Sequence, residues 1–248
     1  MALASGFRGI DTANQRKHYV EEAVGAALAA SGVARGELFL QTKFTYARGQ
    51  DQRLPYDPAA KIADQVRQSC ESSLQHLGVE TIDSLLLHGP WSDRGWSAQD
   101  REAWHALEEL RQAGRVRLLG VSNVSAEQLA ALCEEALLPP TFVQNRCYAR
   151  NGWDKDVRDL CRKSGVVYQA FSLLTANRQE LGGRVMAAIA HRLGVTVPQL
   201  VFRFALEMGM LPMTGTSSRT HMQEDLASVD IDLPAPDVAI IESIGAAR

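Results

Sequence analysis

A chain of 248 residues can form a single large α/β barrel or two smaller domains, and its 46% hydrophobic and 22% charged composition excludes a disordered or low-complexity polymer. The formal net charge of -3, from 26 basic and 29 acidic residues, supplies no polybasic field, which argues against nucleic acid or an anionic membrane as partner and leaves small molecules. Cys70, Cys133, Cys147 and Cys161 form no CxxC pair, and neither a basic-then-apolar leader nor a run of ~18 apolar residues occurs, so reduced thiols, no metal and a cytoplasmic location are expected.

Met1–Gly6 reads as the end of a helix. Short apolar runs then alternate with amphipathic segments, the runs being Arg8–Ala13, Leu38–Lys43, Ser84–His88, Leu118–Ser122, Phe142–Gln144, Val166–Phe171 and Met210–Gly215. These are seven expected strands. Ile62, Val66, Cys70 and Leu74 recur at helical spacing up to Gly78, where a glycine can turn left-handed and stop the helix. Ser125 with Gln128 makes a capping box ahead of Leu129 and Leu132, and Pro198 stands at the first turn of a helix running through Leu200–Met208 to Gly209. No repeat or linker interrupts the series, so residues 1–248 read as one domain.

Near-continuous apolar strands alternating with helices imply a parallel sheet covered by helices, either a barrel or an open doubly wound sheet. An open dinucleotide-binding sheet would carry GxGxxG at its first turn, and no such segment occurs. The barrel is therefore expected, with its chemistry at the strand C-termini. Polar residues do collect there: Asp11 and Thr12, Thr42 and Lys43, His88, Ser122 and Asn123, Gln144 and Asn145, Ser172, Thr214 and Thr216.

In such a barrel Asp11, Lys43, His88 and Tyr19 converge on one face. A carboxylate keeps a neighbouring lysine charged, and that charge favours ionising a nearby phenol, lowering a tyrosine pKa from its reference of ~10. The tyrosine can then protonate a carbonyl oxygen as hydride reaches the carbon, while a histidine N–H orients that oxygen. Each residue also has a plainer reading. Asp11 and Lys43 could form a structural ion pair, His88 could be a core histidine bonded to backbone, Ser122 and Asn123 could cap the following helix, and Phe171 could be core packing.

The residues resemble those of the aldo-keto reductases. Gly6-Phe7-Arg8-Gly9-Ile10-Asp11-Thr12-Ala13 is similar to that family's G-[FY]-R-x-[IF]-D-T-A motif, Leu40-Gln41-Thr42-Lys43 to its lysine strand, Asp83-Ser84-Leu85-Leu86-Leu87-His88 to its histidine strand, and Gly120-Val121-Ser122-Asn123 to its G-V-S-N. The resemblance implies a (β/α)8 barrel, Asp11, Tyr19, Lys43 and His88 as the catalytic set, and Ser122, Asn123 and Gln144 on the nicotinamide carboxamide. It further implies Phe171 stacked on the nicotinamide ring, Ser172 and Leu174 at the pyrophosphate, and Gly215, Thr216, Ser217, Arg219, Glu224 and Asp225 around the adenosine end. The implied reaction is reduction of a small aldehyde or ketone to an alcohol with NADP, or with NAD.

Three departures qualify that pattern. The family's tyrosine follows its aspartate by five residues, where this chain has Arg16; Tyr19-Val20-Glu21-Glu22-Ala23-Val24-Gly25 keeps the surrounding signature, so a longer loop shifts the role to Tyr19. The lysine that commonly pairs the 2′-phosphate is missing, leaving Arg219 to favour NADP. Seven strands are counted where eight are needed, so the first strand and most of the first helix are expected ahead of Met1, or the product is a shortened relative. A cofactor-binding or interaction protein with weak turnover is then the alternative, and a metal-dependent hydrolase lacks the HxH strand end it needs. Trp91 and Trp96, after His88, could wall a pocket or pack on the scaffold.

Overall fold

The computed structural model describes residues 1–245. Its elements run α1 (Ala2–Ser5), β1 (Gly9–Asp11), α2 (Glu21–Ala29), β2 (Phe39–Phe44), α3 (Ile62–Leu77), β3 (Ile82–Leu87), α4 (Ala98–Gln112), β4 (Val116–Ser122), α5 (Ala126–Glu135) and β5 (Phe142–Arg146). They continue with α6 (Lys155–Ser164), β6 (Val167–Phe171), α7 (Arg178–Leu181), α8 (Arg184–Leu193), α9 (Val197–Glu207), β7 (Met210–Pro212), α10 (Arg219–Ala227) and α11 (Ala235–Ser243). Each strand is hydrogen-bonded to the next in chain order. The seven strands fall where hydrophobic patterning places them. Two compact units are distinguished, Phe7–Val143 and Met1–Gly6 with Gln144–Arg248.

In the unit Phe7–Val143, β1 through β4 pair in parallel, with Asp11 opposite Gln41 and Lys43 opposite Leu86. Pairing reaches past the formal ends of β1, because Phe39 N donates to Arg8 O, Thr12 N to Gln41 O and Asn14 N to Lys43 O. The expected run Arg8–Ala13 is thus held along its length. Val66, Cys70, Leu74 and Leu77 on α3, and Ala103, Trp104 and Leu107 on α4, are buried with Ile82 and Leu85–Leu87 of β3. Each large side chain so buried contributes about 1.5 to 3 kcal/mol relative to exposure. Two close approaches require glycine: a Cβ at Gly25 would lie 2.1 Å from His76 O, and one at Gly120 2.7 Å from Phe142 O. Helix α3 ends at Gly78 in the left-handed region, while Ser97 with Asp100 and Ser125 with Gln128 form reciprocal capping boxes on α4 and α5.

In the other unit β6 and β7 are parallel, with Ala170 opposite Pro212. The strand expected to reach Gly215 stops at Pro212, which has no N–H to continue the ladder; Met213 N makes a last bond to Ala170 O at 2.8 Å. Trp153 is fully buried against Phe204, with ring centroids 5.0 Å apart, and its indole N–H donates to Ile241 O. Among the described residues no single helix is long and apolar enough to cross a membrane. The bent pair α8 and α9 approaches that composition, but Leu200, Val201, Phe202, Phe204 and Ala205 of α9 are buried core.

Candidate active site

Strand alternation sends successive β2 side chains to opposite faces. Thr42 points toward the helices, where its hydroxyl donates to the buried Glu21 carboxylate, which also accepts from Ser73 Oγ. On the opposite face Lys43 Nζ donates to both Asp11 oxygens at 2.7 Å and to Thr12 O at 2.9 Å, and Gln41 Nε2 donates to Asp11 Oδ1 at 2.7 Å. The lysine side chain is 1% exposed and the aspartate 20%. Burial pushes Lys43 below the ordinary lysine range, against the upward pull of Asp11 and Glu21.

Arg16, at the family's usual tyrosine position, pairs with Glu22 and reaches His76. Tyr19 instead joins the group: its ring centroid lies 5.6 Å from Lys43 Nζ and 6.1 Å from the His88 ring, which it meets edge-on. The loop carrying it is braced by Tyr19 N on Gln15 O at 3.0 Å. One expectation is corrected here. Burial first, and the Asp11 carboxylate second, push the Tyr19 phenol above its ordinary range, not toward neutrality. Asp11 takes up the lysine charge at bonding distance, so the pair sends little net positive field to the phenol. Tyr19 is accordingly protonated at neutral pH, the form a proton donor requires.

His88 follows β3, its backbone N–H donating to Phe44 O. Its Nδ1 lies 2.7 Å from Thr45 Oγ1. A neutral ring can accept from the Thr45 hydroxyl at Nδ1, and that arrangement leaves the ring proton on Nε2. The plain backbone-bonded histidine is therefore not what is seen. Burial, then the charge on Lys43, lower the His88 pKa to about 4, with Asp11 opposing and His18 assisting. A depressed histidine costs stability as pH falls, because the unfolded chain takes up a proton near pH ~6.5 that the folded one refuses until its lower pKa. After screening at this partly exposed group, about 1 to 2 kcal/mol of unfolding free energy should be lost between these pH values. His88→Gln should remove that part of the acid limb in urea titrations; an unchanged limb would mean that His88 is not depressed.

His88, Thr45, Arg48, Gln15 and Asn123 line a cleft of about 250 Å³. Ser122 is buried at the end of β4, and Asn123, in the left-handed region at φ 56, donates its amide to His88 O at 2.8 Å and to Ser122 Oγ at 3.1 Å. Neither caps α5, whose cap is Ser125. Trp91 stacks edge-on against Tyr46, and Trp96 is buried in the scaffold.

The remaining candidates lie in the other unit. Gln144 is buried and donates to Gln169 Oε1 at 2.9 Å. Phe171 is half-buried with the Arg146 guanidinium 5.9 Å from its ring, so the ring has a cationic neighbour that sequence reasoning missed. Ser172 stands in the left-handed region at φ 57 beside a half-buried Leu174. Gly215 and Ser217 are exposed, Thr216 Oγ1 accepts from Ser218 N, and Ser218 caps α10 by accepting from His221 N. Arg219 is exposed at the first turn of α10 with no carboxylate partner among the described residues, whereas Asp225 accepts from Thr214 Oγ1 at 2.6 Å and burial holds its carboxyl above the usual range. Glu224 is half-buried.

These donor sets suit a nicotinamide dinucleotide at two places, each judged within its own unit. A serine and an asparagine amide can meet both the donor and the acceptor of a carboxamide, and a small-residue loop entering a capped helix beside an unpaired arginine suits phosphate. Thr45 and Gln41 escaped the sequence reading. The signal for both is their i, i+2 spacing from Lys43.

A family model described as Aldo/keto reductase family matches residues 1–246. Glyoxal reductase of Bacillus subtilis (strain 168) is 30% identical over 243 residues, covering 98% of this chain and 80% of that protein. An aldo-keto reductase of Mycolicibacterium smegmatis is likewise 30% identical over 243 residues, covering 98% and 82%. Among solved structures, an aldo-keto reductase from a Medee basin deep-sea metagenome library superposes with a TM-score of 0.85 at 25% identity, covering 100% of this chain and 85% of the other. An aldo-keto reductase complexed with NADPH gives 0.80 at 26% identity, covering 98% and 76%. The parallel strands, the motif order and these matches agree: the chain belongs to the aldo/keto reductase family and is an NAD(P)H-dependent oxidoreductase acting on carbonyl compounds.

Proposed function

We propose that this chain reduces small aldehydes or ketones to alcohols with NADPH, Tyr19 giving the proton to the carbonyl oxygen and His88 orienting it. The observation that carries the reading is the gathering of Tyr19, Lys43 and His88 around Asp11. When bound, the reduced nicotinamide supplies hydride to the carbonyl carbon. Within the unit Phe7–Val143, Ser122 and Asn123 are the groups suited to its carboxamide; the other unit, taken by itself, offers Phe171 as a ring and Ser172, Leu174 and the loop 215–217 as groups suited to phosphate. Asp11 fixes Lys43, and Lys43 is the charged neighbour from which an anionic Tyr19 draws stabilisation after the proton has left. Thr45 keeps the His88 proton on Nε2, where it can donate to the oxygen. Buried or partly buried thiols, with Cys70 and Cys147 pushed up to about 12 by burial, suit a reducing cytoplasm.

Thr45→Val keeps the side chain's shape and removes its hydroxyl, so the His88 tautomer loses its clamp. About a tenfold fall in kcat/KM is expected, with cofactor affinity unchanged and the imidazole nitrogen NMR signals shifted toward a tautomer mixture. Unaltered kinetics would take Thr45 out of the mechanism.

The function itself is tested by following NADPH and NADH oxidation with short aldehydes. Turnover is expected, faster at low cofactor concentration with NADPH. Arg219→Ala should weaken NADPH binding about tenfold and leave NADH nearly unaffected, because only the 2′-phosphate offers the guanidinium a charge. Cofactor binding with no reduction of any aldehyde would favour the non-catalytic alternative.

A further inference from the structure

The cleft beside His88 carries one charged side chain that the proton-transfer scheme leaves unused. Arg48 lies on the short turn Ala47–Gly49 that follows β2. Its Nη2 donates to Pro90 O, and its guanidinium carbon stands 5.8 Å from the centroid of the Trp91 ring. Trp91 is itself fixed, edge-on to Tyr46 at 5.1 Å and with its backbone N–H on Asp100 Oδ1 at 2.6 Å. The guanidinium is therefore held at one nitrogen and one face, with Nε and Nη1 left as donors.

Arg48 also lacks a counter-charge. Arg16, Arg35, Arg53 and Arg67 of the same unit each pair with a carboxylate, whereas Arg48, like Arg94 and Arg111, pairs with none among the described residues, and of these three Arg48 alone lines the cleft. The nearby Asp100 is spent, its two oxygens accepting from Tyr46 Oη, Trp91 N, Ser97 N and Ser97 Oγ. No Asp or Glu lines the cleft. A preorganised guanidinium with free donors, in a cleft otherwise lined by neutral groups, fits a planar anion. At about 250 Å³ the cleft lies just below the ~300 Å³ at which ligand pockets usually begin, so the ligand is small.

We propose that Arg48 anchors a carboxylate carried by the substrate, making small oxo acids the preferred carbonyl compounds of this chain. The assignment rests on the reductase reading, in which the carbonyl meets His88, which lines the same cleft as Arg48, and its neighbour Tyr19. Arg48 acts on binding, and its loss should appear mainly in KM.

The test compares 4-oxobutanoate with butanal, which share a four-carbon chain and differ in the carboxylate, using NADPH and the wild-type, Arg48→Gln and Arg48→Lys proteins. Wild type should prefer 4-oxobutanoate by at least about tenfold in kcat/KM. Arg48→Gln keeps an N–H for Pro90 O and removes the charge; it should lose about thirtyfold on 4-oxobutanoate, chiefly through KM, with less than about a threefold change on butanal. Arg48→Lys should recover part of the loss, and raised salt should reduce the wild-type preference. Equal losses on both substrates, or a wild-type preference for butanal, would overturn the proposal.

A calorimetric titration with butanoate, which carries no aldehyde or ketone to reduce, reads the site without turnover. Binding by wild type that weakens at least about tenfold in Arg48→Gln supports the carboxylate site even if neither aldehyde is reduced, an outcome that would defeat the reductase reading alone. Butanoate binding equal in the two proteins, or absent from wild type, defeats the Arg48 assignment.

Discussion

Tyr19→Phe should lower kcat/KM for aldehyde reduction by about a hundred- to ten-thousandfold, the usual worth of a positioned general acid. Stability should not move. The Tyr19 hydroxyl has no hydrogen-bond partner among the described contacts, so its deletion leaves no orphaned donor or acceptor. The other tyrosines near the cleft are different: Tyr46 Oη donates to Asp100 and Tyr56 Oη to Thr45 O at 2.7 Å. Their hydroxyls are committed to the scaffold, and Tyr19 alone among these three has a hydroxyl free to reach a substrate. The expected signature is a loss in kcat, an NADPH Kd within about twofold of wild type, and an unchanged Tm. Reduction at the wild-type rate would transfer the acid role to another group. A large fall in Tm would show that the hydroxyl is structural after all.

Why Tyr19 could be found from the sequence, while its titration could not, follows from where each kind of information lies. The Tyr-Val-Glu-Glu run leads into α2, with Glu21 and Glu22 in its first turn, and Glu21 is anchored by Thr42 and Ser73, so the segment's place is set by local pattern. The phenol's pKa is set by how deeply the ring is buried and by whether Asp11 or Lys43 is the nearer net charge. Both depend on packing across strands distant in sequence. The same division holds along β2. Lys43 and Asp11 were legible because Lys43 closes the run Leu38–Lys43 and Asp11 is the acidic residue within Arg8–Ala13, and parallel register then brings them together. Gln41 and Thr45 share their face by period-two alternation, yet neither residue type announces a role until the strand's two faces are told apart. Arg48 was invisible for a stronger reason. Its meaning comes from Pro90 and Trp91, which reach it from the loop after β3, and from the placement of Asp100 at the start of α4. Loops of that kind are positioned by packing, and composition does not encode which of them meet.

Lys43→Met should cost about 3 to 5 kcal/mol of unfolding free energy, the usual loss when one member of a buried ion pair is removed, with the lower figure favoured because Asp11 retains some contact with solvent. The substitution deletes three donated hydrogen bonds, two to Asp11 and one to Thr12 O, and leaves an aspartate supported on this face by Gln41. The unneutralised carboxylate then raises the Tyr19 phenol further, since Asp11 already pushes it upward. A phenol that releases its proton less readily, beside no cation to stabilise the resulting anion, makes a poorer acid, and kcat should fall about a hundredfold or more. Stability and catalysis can be separated by adding Asp11→Asn. The double variant removes both charges, so most of the stability lost in Lys43→Met should return in urea unfolding. Activity should stay low, because the cation is still missing. Full recovery of turnover in the double variant would show that Lys43 serves only to neutralise Asp11, and the account of proton donation given for Tyr19 would then have to do without it.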